Sequence, residues 1–63
     1  MMDKKLVIIP TYNEKENIEK IIRYTFSVAD VHILVVDDSS PDGTSEIVKG
    51  LLAEFPDKLF LEI

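Results

Sequence analysis

Apolar residues fall in blocks along the chain rather than being scattered through it. Lys5-Leu6-Val7-Ile8-Ile9 is a continuous β-branched and leucine run, which predicts a strand with apolar side chains on both faces. Pro10 is read as the end of that strand, because proline has no N–H for a sheet ladder. Asn13 then reads as a helix N-cap, with Glu16 three residues on to complete a capping box. Ile18, Ile21, Ile22, Thr25, Phe26 and Ala29 recur at helical spacing, so a helix is predicted from Glu14 to Val28.

A second buried-strand run covers His32 to Val36, and the Asp, Ser, Pro and Gly residues of Asp37 to Gly43 predict a turn. Asp42 or Thr44 is placed to cap a second helix with an apolar face of Ile47, Val48, Leu51, Leu52 and Phe55. Pro56 is read as its terminator and Lys58 to Ile63 as a third strand. The order is β-α-β-α-β, the start of a parallel, three-layer, Rossmann-like α/β fold. No repeat, linker or low-complexity segment interrupts it.

Parallel crossovers are right-handed in nearly all proteins. With strands in the order 3-2-1, both helices are therefore expected on one face of the sheet. The first two strands are apolar at successive positions, so their other face also seeks burial, and nothing in this sequence is left to cover it. The expectation is that residues 1–63 are the amino-terminal, nucleotide-binding part of a larger domain, with the bare face covered by the remainder or by a partner. A strand pattern that runs to Leu61-Glu62-Ile63 agrees with that.

Composition narrows the function classes. Sixty-three residues make one small domain without cysteine, so neither disulfides nor thiolate metal sites support it. Twelve acidic against seven basic residues give a net charge of −5, with no basic stripe to follow a nucleic-acid backbone. The apolar runs are too short for a bilayer, and the run behind Met1-Met2-Asp3-Lys4 is too short for a signal peptide. A cytoplasmic protein is the expectation.

Two strand ends carry the candidate chemistry. Pro10-Thr11-Tyr12-Asn13-Glu14 offers a rigid loop, an aromatic ring, an amide and a carboxylate, and Tyr12 can pack beside a planar base. Glu14 can accept from a base or a ribose, and free amides at the start of the first helix would favour a negative group. The same residues also serve as strand stop, helix cap and dipole partner. Asp37-Asp38 at the second strand end is a like-charged pair that calls for compensation by a ligand, a cation or a helix terminus. Successive strand residues point to opposite sides, so the two need not share a role, and Asp37 is the better candidate for capping the turn. Ser39-Ser40-Pro41-Asp42-Gly43-Thr44 lacks the glycine spacing and Lys-Ser/Thr ending of a P-loop, so it reads as a turn and helix cap. His32 has no partner at metal-ligand spacing.

Together, Val7-Ile8-Ile9-Pro10-Thr11-Tyr12-Asn13-Glu14 and Val35-Val36-Asp37-Asp38-Ser39-Ser40-Pro41-Asp42-Gly43-Thr44 resemble the family 2 glycosyltransferases of the GT-A fold. Within that family the Ser-Pro-Asp-Gly-Thr ending is most similar to the dolichyl-phosphate (polyprenol-phosphate) mannosyltransferases. The resemblance implies that Pro10, Tyr12, Glu14, Val36 and Asp38 line the nucleotide end of a donor pocket, with Asp38 on the base and Asp37 as a further candidate. It implies inverting transfer of mannose from GDP-mannose to a polyprenyl phosphate, with a divalent metal, Mg2+ or Mn2+, on the diphosphate. Peripheral association with the cytoplasmic face of a membrane is implied as well. Ser39 departs from the family, where Asn, Gly or Asp is frequent at that position. The metal-binding Asp-x-Asp, the acceptor-binding half and any anchoring helices are not in this sequence. No catalytic residue and no metal ligand is therefore assigned to it, and alone it is expected to be inactive.

Two other readings fit parts of the sequence. Ile33-Leu34-Val35-Val36-Asp37-Asp38 also resembles the acidic-pair strand of response-regulator receiver domains, although there the pair lies on the first strand. A non-catalytic βαβαβ module that pairs through its bare sheet face is the third.

Overall fold

The computed structural model describes residues 5–63; the lead-in read above over residues 1–4 lies outside the described residues. Five elements follow in order: β1 (Lys5–Thr11), α1 (Ile18–Val28), β2 (Val31–Asp37), α2 (Thr44–Leu52) and β3 (Leu59–Glu62). The three strands form one parallel sheet with β2 in the centre. This is the predicted order. The register runs from Lys5 opposite Val31 to Thr11 opposite Asp37, so β1 and β2 end side by side.

β1 does not stop at Pro10 as predicted but passes through it to Thr11. The Asp38 amide donates to the Thr11 carbonyl at 3.0 Å, so the backbone polar groups of Thr11 face β2. Alternation then turns those of Pro10 to the other side of β1, where no strand pairs among the described residues, and no N–H is needed there.

The start of α1 also differs from expectation. Asn13 is not its cap: it has a positive φ of 58°, and its amide donates to Ser40 Oγ at 2.9 Å. The Glu14 carbonyl accepts from the amides of Asn17 and Ile18 at 3.0 and 2.8 Å, forming one turn before the helix begins at Ile18. Asn17 is the N-cap residue, without a side-chain capping bond. At α2 the N-cap position is Gly43, which neither predicted candidate occupies; the Asp42 side chain one residue before it supplies a capping bond, its Oδ1 accepting at 3.0 Å from the amide of Thr44, the first helical residue. The Phe55 amide still reaches the Leu51 carbonyl at 3.1 Å, and Pro56 follows without an N–H to extend the run.

Both helices pack on one face of the sheet. Ile18 and Ile22 of α1 and Val48 and Leu51 of α2 join Val31, Ile33, Val35 and Leu59 in a single core. Each such side chain, when fully buried, contributes roughly 1.5–3 kcal/mol. Arg23 on α1 donates to both carboxylate oxygens of Glu54 and, from Nε, to Glu19 at 2.8 Å, fastening α1 to the turn after α2. The opposite sheet face is uncovered. Leu6, Ile8 and Phe60 there are 53, 58 and 44% exposed, the bare face expected when both helices of this parallel, Rossmann-like start lie on the other side.

Candidate functional site

The paired ends of β1 and β2 form one edge, and the sequence-predicted site residues gather there. Pro10 and Val36 are register partners. Both lie on the uncovered face, Pro10 exposed and Val36 half-buried. Tyr12 and Asp38 follow directly beyond the strand ends and are exposed, Tyr12 at 56%. Glu14 is half-buried in the loop behind them. In open parallel sheets this carboxyl edge is where ligands sit.

The two aspartates part company, as strand alternation requires. Asp37 is 2% exposed and points to the helical side. Its Oδ1 accepts from Thr11 Oγ1 at 2.8 Å and from the Ser40 hydroxyl, and its Oδ2 accepts from the Ser40 amide at 3.0 Å. Burial alone would raise this carboxyl, but the Ser40 hydroxyl, the Ser40 amide and Thr11 together outweigh it and hold the group below the ordinary carboxylate range. Asp37 thus takes three internal donors and ties down the turn that follows it, the role for which it was the better candidate, and its buried carboxylate lies on the helical side, away from the open edge where Asp38 stands. Asp38 makes no side-chain hydrogen bond or ion pair among the described residues, and its carboxylate stands open at the edge. The pair needs no outside compensation: one member is solvated and the other is internally satisfied.

The loops behind these residues are stitched together by contacts that sequence reasoning missed. Three successive amides of the β1–α1 loop donate to side chains of two residues of the β2–α2 loop and of the first residue of α2. Asn13 reaches Ser40 Oγ at 2.9 Å, Glu14 reaches Thr44 Oγ1 at 3.0 Å, and Lys15 reaches Asp42 Oδ2 at 3.0 Å. The Thr44 hydroxyl in turn donates to Asp42 Oδ1, and that bond is the main reason the Asp42 carboxyl also sits below its ordinary range. The available signal was the spacing of Ser40, Asp42 and Thr44, an acceptor side chain at every second position. One expectation falls with this result. The amides of Asn13, Glu14 and Lys15 are not free to hold an anion, because the neighbouring loop and the first residue of α2 occupy them.

The edge is open, and the described residues enclose no cavity. Nor do they gather three His, Cys, Asp or Glu residues around a point that would hold a metal ion. No helix among them is long and apolar enough to cross a membrane.

The family model described as glycosyl transferase family 2 matches residues 6–61. The chain is 51% identical over 57 residues to polyprenol monophosphomannose synthase of Mycolicibacterium smegmatis, covering 89% of this chain and 22% of that protein. It is 44% identical over 59 residues to dolichol-phosphate mannosyltransferase of Pyrococcus furiosus, covering 89% and 17%. Glycosyltransferase AglE of Haloferax volcanii is 47% identical over 47 residues, covering 68% and 16%. The chain thus spans about a fifth of the length of these curated relatives. No solved structure matches it significantly.

Proposed function

This chain belongs to glycosyltransferase family 2, and on that premise we propose that its β1–β2 edge holds the nucleotide of a sugar donor, GDP-mannose, for transfer of mannose to a polyprenyl phosphate. Family membership decides against the receiver-domain alternative. The observation that carries the reading is the division of labour at the edge: Asp37 is consumed by the fold while Asp38 stays open beside Tyr12.

The chemistry follows from those groups. The Tyr12 ring packs beside the base, and Pro10 and Val36 form the apolar floor in register beneath it. An ionised carboxylate is acceptor-only, so Asp38 pairs with a base edge that presents two adjacent donors. Guanine presents its N1–H and 2-amino group together; adenine presents no such pair. Glu14 accepts from the ribose. The acceptor phosphate is already ionised at neutral pH and needs little help from a general base. Its attack on the anomeric carbon, with departure of GDP from the opposite side, inverts the sugar centre. The lipid tail of that acceptor puts the reaction at a membrane surface, and the cytoplasmic face belongs to the same proposal.

A divalent cation, Mg2+ or Mn2+, belongs to the same proposal as the group that neutralises the diphosphate. The described residues do not fit it by themselves, since Asp38 is a single free carboxylate with no second and third ligand around it. No step performed by this chain is therefore assigned to the metal.

The test is a chimera. The matched segment of the Mycolicibacterium smegmatis relative is replaced by this chain, and mannose transfer from GDP-mannose to polyprenyl phosphate is assayed. The chimera is expected to be active, and Asp38→Asn to lower kcat/KM by about tenfold or more through loss of a charge-assisted contact. Unchanged kcat/KM in Asp38→Asn would overturn the assignment.

A further inference from the structure

We propose that Ser40, Asp42 and Thr44 are positioning residues: they hold the Tyr12–Glu14 loop at a fixed distance from Asp38, and nucleotide affinity depends on that hold. The inference rests on the nucleotide reading above and adds residues to which that reading gives no role.

The geometry sets the argument. Tyr12 and Asp38 lie on different loops, and each is exposed, so neither is placed by packing of its own side chain. Beyond the last ladder contact, from the Asp38 amide to the Thr11 carbonyl, the two loops are joined by the donations of Asn13, Glu14 and Lys15. These three bonds run from backbone to side chain across 27 to 30 residues of sequence, so the spacing of the loops is set by the side chains of the second loop and of the first residue of α2. Thr44 is fully buried, and its hydroxyl serves both loops, accepting from Glu14 and donating to Asp42. Asp42 divides its oxygens in the same way. Oδ1 caps α2 through the Thr44 amide, while Oδ2 takes the Lys15 amide. A helix cap needs only the first of these. The second is a tie between loops.

That division supplies the discriminating variants. Asp42→Asn keeps one acceptor oxygen for the cap and turns its amide toward Lys15, removing the tie. Thr44→Val removes the hydroxyl in a nearly equal volume, and Thr44→Ser restores it. The experiment uses the 63-residue chain, labelled with 15N. Amide hydrogen exchange is read at Asn13, Glu14 and Lys15, and GDP with Mg2+ is titrated by chemical shift. In Asp42→Asn, exchange at Lys15 is expected to accelerate about tenfold, and the GDP dissociation constant to rise by about three- to tenfold, the scale of one lost hydrogen bond. The β2 amides should exchange as in the parent chain. Thr44→Val should act the same way at Glu14, and Thr44→Ser should recover both readouts.

The outcomes separate the two claims. A parent chain that shows no GDP-dependent shifts overturns the nucleotide reading and this inference together. Parent binding with unchanged affinity in Asp42→Asn and Thr44→Val overturns the positioning role alone. Unchanged exchange at Lys15 and Glu14 overturns the tie itself. If Thr44→Val fails to fold, Asp42→Asn and Thr44→Ser decide the question.

Discussion

Neighbouring aspartates with opposite roles make a demanding prediction, because a single-atom change in each should have opposite consequences. In Asp37→Asn the new side chain keeps its oxygen at Oδ1 for Thr11 and Ser40 and sets its amide against the Ser40 N–H, donor facing donor. One charge-assisted bond worth roughly 1.5–3 kcal/mol is lost, and the remaining ones weaken from ionic to neutral. Ser40 is only half-buried, so water recovers part of the loss. A net cost of about 2–3 kcal/mol results. A chain of this size is stable by roughly 3–9 kcal/mol, so this is a large fraction of the whole. The urea midpoint should fall with an unchanged m-value, and Tm should drop by about 10–20 °C. Asp38→Asn, which breaks no internal contact, should stay within about 0.5 kcal/mol. Acid titration adds a second readout. The Asp37 carboxyl is held below its ordinary range, so its contribution is fully present above the unfolded-state pKa of about 3.9 and is lost as pH falls through the folded value. Asp37→Asn should therefore lose less stability on acidification than the parent. A cost below about 0.5 kcal/mol for Asp37→Asn, or equal costs for the two variants, would refute the reasoning.

Two further contrasts follow from the fold. Gly43 has a φ of +94° with nothing within 4 Å of a built Cβ, so Gly43→Ala should cost about 1–2 kcal/mol through backbone strain alone, whereas helical Gly50→Ala should gain about 0.5–1 kcal/mol in the same denaturation assay. On the uncovered face Ile8→Lys should leave stability within about 0.5 kcal/mol, while Ile22→Ala in the core should cost about 2–5 kcal/mol.

Much of the architecture was legible because it is written in burial. Runs such as Val7-Ile8-Ile9 and Ile33-Leu34-Val35-Val36 are short, β-branched and bounded by turn residues, which reads as strands, and right-handed crossovers then put both helices on one face. The alternation that separates Asp37 from Asp38 was equally readable. What escaped was long-range polar pairing. Asn13 followed by Glu16 looks like a capping box when only neighbours are considered, but Ser40, 27 residues away, takes the Asn13 amide and its positive φ moves it off the helix. Pro10 was read as a strand stop because its missing N–H was assumed to face a partner strand, and that depends on which side of β1 is free. The stitching by Ser40, Asp42 and Thr44 was hidden for the same reason: local reading assigns such residues to their own turn.

The central claim is that the β1–β2 edge receives a guanine nucleotide through Tyr12 and Asp38. Its most direct test is a backbone chemical-shift map of the chain titrated with GDP and Mg2+, with ADP as the control. Shifts confined to residues 10–14 and 36–38, with weak affinity in roughly the millimolar range for GDP and none for ADP, are predicted. Equal response to ADP, or shifts on α1 and α2 with the edge unmoved, would contradict the account.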